Sequence, residues 1–143
     1  MTAVSQDSSD TSSANATGRC ECGGIRFRVN GDMRSVVNCH CRQCLRTHGN
    51  FAAYTDAAVK DIEWVSDATL QWYHSSDIAR RGFCTQCGSS AFWQRLGSER
   101  MSISAGLVDS PSGLESSANI FVASRGDYYD LDERLKCFDE GSF

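Results

Sequence analysis

Seven cysteines in three groups carry the chemistry open to this chain: Cys20-Glu21-Cys22, Cys39-His40-Cys41-Arg42-Gln43-Cys44 and Cys84-Thr85-Gln86-Cys87-Gly88. With Cys137 they make eight cysteines in 143 residues, a density that fits either a disulfide scaffold or a metal centre. Spacing favours metal. Cys20/Cys22 and Cys39/Cys41 are each two apart, too tight for easy mutual disulfides and suited to sharing one ion. The N-terminus has no basic start and no apolar centre, so it does not read as a secretory signal. The expectation is a reducing, cytoplasmic setting with free thiols.

The outer pairs suit a closed site. Cys84 and Cys87 flank a tight turn, and Gly88 supplies a position with φ > 0 that lets backbone N–H groups point at sulfur. Cys20, Cys22, Cys84 and Cys87 together offer four thiolates, a tetrahedral set whose job is folding stability. Zinc is the usual ion of such sites, with iron the alternative. The middle group places Cys39, Cys41 and Cys44 within six residues, and three protein ligands with an open position is the pattern of a catalytic or ligand-binding zinc. A different partition pairs Cys41/Cys44 with Cys84/Cys87 as one zinc ribbon. The gap between those pairs exceeds that of common ribbons, and Cys20, Cys22 and Cys39 would be stranded. Spacing favours four plus three.

Charge says what an open three-thiolate site can do. Zinc with three thiolates has a net charge of −1 and acidifies bound water poorly. It suits capture of a substrate thiol as thiolate, the reactive form. A thiolate held beside a carbonyl carbon gains mostly from proximity. The chemistry indicated is making or breaking a carbon–sulfur bond without redox.

The elements that must position these groups read as mostly β. Ile25, Phe27 and Val29 alternate with Arg26 and Arg28, as in a half-buried strand. Further strands are expected at Phe51–Tyr54, Ile62–Val65, Leu70–His74, Ala91–Leu96, Met101–Leu107 and Asn119–Ser124, with glycines punctuating them. A short helical turn fits Arg42–Thr47. Residues 1–17 are rich in Ser, Thr, Ala, Asn and Asp and read as a disordered tail; residues 18–143 read as a single domain. The net charge of −4 argues against nucleic-acid and anionic-membrane partners. No stretch reaches the roughly 18 apolar residues that span a bilayer.

At these residues the chain resembles the glutathione-dependent formaldehyde-activating family, which includes centromere protein V. The matching pieces are Cys20-Glu21-Cys22-Gly23 before Ile25-Arg26-Phe27, and Cys39-His40-Cys41-Arg42-Gln43-Cys44 with Gly49-Asn50-Phe51. They continue in Ala79-Arg80-Arg81-Gly82-Phe83-Cys84-Thr85-Gln86-Cys87-Gly88-Ser89 and Ser104-Ala105-Gly106-Leu107. The resemblance covers about residues 18–138. It implies a mainly β, Mss4-like fold of zinc-stabilised antiparallel sheets. It also implies a structural zinc on Cys20, Cys22, Cys84 and Cys87, and a second, more labile zinc on Cys39, Cys41 and Cys44, where the family's namesake joins glutathione to formaldehyde. Family members often carry a Pro and a His before the Ile-Phe strand; here Ser116-Ser117-Ala118-Asn119 precede Ile120-Phe121.

The leading expectation is a zinc-dependent carbon–sulfur lyase or synthase, with two ions per chain, acting on a small thiol or aldehyde-type substrate such as S-hydroxymethylglutathione. The alternative is a non-catalytic zinc module that binds a thiol or a protein partner. A homo-oligomer is compatible with either. Among other residues, His40 is turned from the ion by its neighbours and reads as a supporting group, while His48 and His74 read as surface histidines. Arg80 and Arg81 either bind a substrate carboxylate or pair with Asp and Glu. Cys137 reads as a free thiol outside both clusters. Trp64, Trp72, Trp93, Tyr73 and Phe92 read as core or pocket wall, and Tyr128 and Tyr129 as a cover by analogy only.

Overall fold

The computed structural model describes residues 15–141. In chain order these form β1 (Asn15–Arg19), β2 (Ile25–Asn30), β3 (Val36–Cys39), α1 (Arg42–His48), β4 (Ala52–Ala58), β5 (Ile62–Asp67), β6 (Leu70–His74), β7 (Ala79–Cys84), β8 (Ser90–Arg95), β9 (Arg100–Ser104), β10 (Ser116–Ile120) and β11 (Lys136–Cys137). The protein is mostly β, as its alternating runs imply. No helix among the described residues is long and apolar enough to cross a membrane.

Three strands form a small antiparallel sheet in the order β1-β2-β5, and eight form a larger one in the order β11-β10-β3-β4-β9-β8-β7-β6. One edge of the large sheet departs from the antiparallel expectation, because β10 pairs parallel with both β3 and β11. These neighbours are distant in sequence, so crossover connections bring them together rather than tight hairpins.

Four strands were not anticipated, the two-residue β11 among them. Asn15–Arg19, part of it inside the expected tail, pairs as β1 along the length of β2; residues 1–14 lie outside the described residues. In β3 all four residues are buried, so it lacks the alternation that betrays a half-exposed strand. In β7 two arginines hide the pattern. Arg81 buries its whole side chain in one face, while Arg80 lays its guanidinium 3.8 Å from the Trp72 ring centre on the other.

The large sheet has two buried faces. One packs on the small sheet: Ile25, Phe27 and Val29 of β2 meet Ala57, Phe92, Met101 and Ile103. Phe92 is the hub of this core, with ring centres at 5.6 Å from Phe27, 5.3 Å from Trp64 and 6.0 Å from Trp72. Gly82 makes room for it, since a Cβ there would come within 3.2 Å of Phe92 and 3.0 Å of Leu70. The opposite face holds a smaller cluster around Cys39, Cys44, Ala52 and Tyr54. Register lines up this second face across the sheet: Ile120 opposite Cys39, Val37 opposite Tyr54, and Trp93 opposite both Ser102 and Arg81.

Phe92→Ala removes the ring that joins the two sheets. We expect a loss of about 3–5 kcal/mol, read from urea unfolding at fixed metal concentration; a loss below about 1 kcal/mol would contradict this account of the core.

Candidate metal centre

The sulfur atoms of Cys20, Cys22, Cys84 and Cys87 lie within 4.8 Å of one another, and those of Cys39, Cys41 and Cys44 do likewise. All eight cysteines are free thiols. Cys84 and Cys87 therefore group with Cys20 and Cys22, not with Cys41 and Cys44, and the ribbon pairing is set aside.

The four-thiol cluster joins the two sheets. Cys20 and Cys22 lie in the turn from β1 to β2 of the small sheet, while Cys84 closes β7 of the large sheet and Cys87 follows in the turn to β8. The sulfurs of Cys20 and Cys22 are 3.7 Å apart, and those of Cys22 and Cys84 are 3.6 Å apart. Backbone N–H groups converge on them. Ile25 donates to Cys20 at 3.3 Å, Gly24 to Cys22 at 3.4 Å, and Gln86 and Cys87 to Cys84 at 3.3 and 3.4 Å. Gly88 takes the expected left-handed conformation (φ 78°) and closes the knuckle with an N–H bond to the Cys84 carbonyl at 2.9 Å. The Ser89 hydroxyl, 3.1 Å from Cys87, is the main cause that draws this thiol down to about 5. Donors aimed at sulfur favour thiolates, and four thiolates this close repel one another unless a cation sits among them. The donor set fits a thiophilic metal.

The three-thiol cluster is built at the start of α1. Cys39 ends β3, Cys41 is the N-cap, and Cys44 lies in the first turn with its N–H on the Cys41 sulfur at 3.3 Å. The thiols of Cys39 and Cys44 also donate to Cys41. These bonds, joined by the Cys44 and Gln43 N–H groups, hold Cys41 down to about 2. Cys39, donating to Cys41 and Cys44 and largely buried, is pushed up. The bonds within the trio thus favour the charged form at Cys41 over Cys39, and metal binding would release the protons the three thiols carry.

A buried cation stands beside this cluster. Arg81 is 5% exposed. Its Nη2 donates to the Cys44 sulfur at 3.4 Å and to Gln43 Oε1 at 3.4 Å, and its Nη1 to Thr47 Oγ1 at 3.1 Å and Tyr54 Oη at 3.2 Å. Its Nε has no partner among the described residues. Neither Arg81 nor Arg80 forms an ion pair with Asp or Glu among those residues; Arg80 donates to Gln94 at 2.7 Å. A cation this buried calls for nearby negative charge, and sulfur is what it faces.

His40 supports the cluster from behind. It is 1% exposed and turned from the sulfurs. Its Nε2 donates to Asn119 Oδ1 at 2.9 Å and its Nδ1 accepts from Tyr129 Oη at 2.7 Å, a tautomer assigned from the amide oxygen that faces Nε2. The ring packs against both Phe51 and Tyr129, whose own centres are 6.0 Å apart. His48 is a correction. It is half-buried rather than on the surface, with Nε2 at 3.1 Å from Tyr54 Oη. Burial and then the Arg81 charge lower its pKa, while burial raises that of Tyr54, which stays protonated. His74 is exposed as expected. Cys137 is an exposed thiol outside both clusters.

Cys39, Cys41 and Cys44 all line a cleft of about 500 Å³ on the second face of the large sheet, with Tyr54, Arg81, Trp93, Ile120 and Phe121 among its walls. Tyr128 and Tyr129 do not line it. Phe121 is the single non-glycine residue with positive φ (57°) among the described residues. That conformation costs on the order of 1–3 kcal/mol in a bulky residue and is tolerated where surroundings impose it. Here the Phe121 and Val122 N–H groups are fixed on the carbonyls of Glu140 and Phe138, both at 3.1 Å.

A mostly β domain whose cysteines gather into two groups able to hold metal defines the class of this protein. Residues 15–124 match the glutathione-dependent formaldehyde-activating enzyme family, and the chain belongs to that family. A crystal structure of a Rhodobacter sphaeroides protein is similar in fold, with a TM-score of 0.53 and 20% identity over 85% of this chain and 98% of that one. No functionally curated protein matches.

Arg81→Met should weaken metal binding at the three-thiol cluster by about 10–100-fold, as loss of an outer partner does. The four-thiol cluster should be unaffected. Chelator competition resolved by metal stoichiometry reads both, and an unchanged affinity at the weaker site would remove Arg81 from this role.

Proposed function

We propose that the chain is a zinc-dependent carbon–sulfur lyase or synthase acting on a small thiol–aldehyde adduct, with two zinc ions per chain. The reading rests on one contrast. Four thiols from two sheets make a complete tetrahedral set, with backbone donors on Cys20, Cys22 and Cys84, whereas the other group has three thiols, all lining a cleft. Cys20, Cys22, Cys84 and Cys87 would hold a structural ion; Cys39, Cys41 and Cys44 would hold the second. Family membership supports enzyme chemistry on thiol and aldehyde substrates.

Zinc bound by three thiolates supplies a coordination place for a substrate sulfur and favours its thiolate form. In the synthetic direction the carbon–sulfur bond forms as the carbonyl π pair moves to oxygen, and the proton lost by the thiol ends on that oxygen. The lyase direction returns both, and no oxidant is needed. Arg81 offsets the negative charge of the sulfur cluster. Tyr54, kept protonated by burial and bonded to Arg81 and His48, offers a hydroxyl at the cleft wall. Val37, Trp93 and Phe121 present apolar surface that limits water around a bound substrate. His40 anchors the ligand loop to β10 through its own N–H on the Ile120 carbonyl and its side chain on Asn119.

Cys41→Ser should abolish product formation and leave the far-ultraviolet spectrum and one metal per chain intact. Cys87→Ser should unfold the domain, because structural zinc binding is folding free energy on the order of ten kcal/mol. Unfolding by both substitutions would show that the two clusters do not divide the work. Thiol binding without turnover of any aldehyde would instead favour the non-catalytic module.

A further inference from the structure

Glutathione at neutral pH carries two carboxylates, two amides and an ammonium group. The cleft beside the three thiols is poorly matched to that molecule. Among the described residues no Asp or Glu lines it, so an ammonium would find no countercharge there. The charged side chains that do line it are three arginines, and they are not equivalent. Arg34 is held by Asp56 at 3.3 Å and by the Tyr54 carbonyl at 3.1 Å. Arg81 is turned to Cys44, Gln43, Thr47 and Tyr54. Arg95 is exposed at the end of β8, and its guanidinium makes no hydrogen bond or ion pair among the described residues. It is the arginine whose donor fork is open to a ligand.

The remaining wall is apolar. Trp93 stands two residues before Arg95 on the same strand face, about 7 Å away along β8. Ile120 at the end of β10 and the strained Phe121 just after it line the cleft, and Ile78 is 51% exposed at its rim. An exposed isoleucine and a half-buried tryptophan lining the same cleft are surface that a ligand would take out of water. Cleft chemistry therefore asks for a thiol with one negative charge, an apolar body and no ammonium.

Resting on the proposed capture of a substrate sulfur at the three-thiol cluster, we infer that the thiol partner is an aryl or branched-alkyl thiol carboxylate rather than glutathione. Its sulfur lies at Cys39, Cys41 and Cys44, its body lies on Trp93, Ile120 and Phe121, and its carboxylate takes the bidentate donors of Arg95.

Full-length protein loaded with cobalt at both sites tests this, because sulfur binding to cobalt changes its charge-transfer absorption without any turnover. The probes are 4-(mercaptomethyl)benzoate, phenylmethanethiol and glutathione. The aryl carboxylate should bind about threefold to fivefold tighter than phenylmethanethiol, the upper range for a pair with an exposed arginine, and tighter than glutathione. Arg95→Gln should erase most of its advantage over phenylmethanethiol and leave phenylmethanethiol itself unchanged. Trp93→Ala should weaken both aryl thiols and spare glutathione. Glutathione binding as tightly as the aryl carboxylate, or an Arg95→Gln variant with the advantage intact, overturns the substrate class and leaves sulfur capture standing. A spectrum that no thiol alters overturns sulfur capture, and the substrate class with it.

Discussion

Sulfur crowding is the constraint on which the rest of this structure depends. Four thiols drawn from two different sheets meet within 4.8 Å, with backbone N–H groups donating to the sulfurs of Cys20, Cys22 and Cys84. Such a cluster is unstable as bare anions and strongly stabilised by a single thiophilic cation. Without that tie, the small sheet is held to the large one chiefly by Phe92 and its neighbours. The turns that carry Cys20–Cys22 and Cys84–Cys87 are therefore the places where local chain geometry and long-range assembly are decided together.

The large sheet separates two tasks by face. Period-2 alternation sends Phe92, Met101 and Ile103 to the core and Trp93, Ser102 and Arg81 to the opposite side. Consequently, the cleft floor inherits the rigidity of a sheet packed from behind. Arg81 belongs to this floor and is held by four donated bonds, one of them to the Cys44 sulfur. A positive group beside clustered sulfur reduces the charge carried by the site as a whole, which a more exposed arginine would do less well because water screens it.

The cysteine division was legible from spacing because metal ligation demands short, local pairs. Cys20/Cys22, Cys84/Cys87 and Cys39–Cys44 need no tertiary information beyond which pair meets which. Strands such as Ile25–Asn30 were legible because one face is wet. Val36–Cys39 was not, since burial on both faces erases alternation, and Ala79–Cys84 was not, since arginines occupy positions where apolar residues are expected. His48 looked like a surface group because nothing local signals Tyr54, six residues on, folding back to meet it. The cleft walls were the least legible part. Trp93, Arg95, Ile120 and Phe121 come from strands far apart in sequence, and only the β10–β3–β4–β9–β8 order sets them around the sulfurs.

The clamp on Phe121 has an evolutionary consequence. Its backbone is fixed by carbonyls at Phe138 and Glu140, in a segment beyond residues 15–124 that carry the family match. Substitution or altered length there would re-aim an aromatic ring over the pocket while every sulfur and its donors stayed in place. Selectivity can thus drift at the periphery of the sequence, decoupled from the parts that must be kept for assembly. A lineage built this way can acquire new small-molecule preferences without first passing through an unstable ancestor.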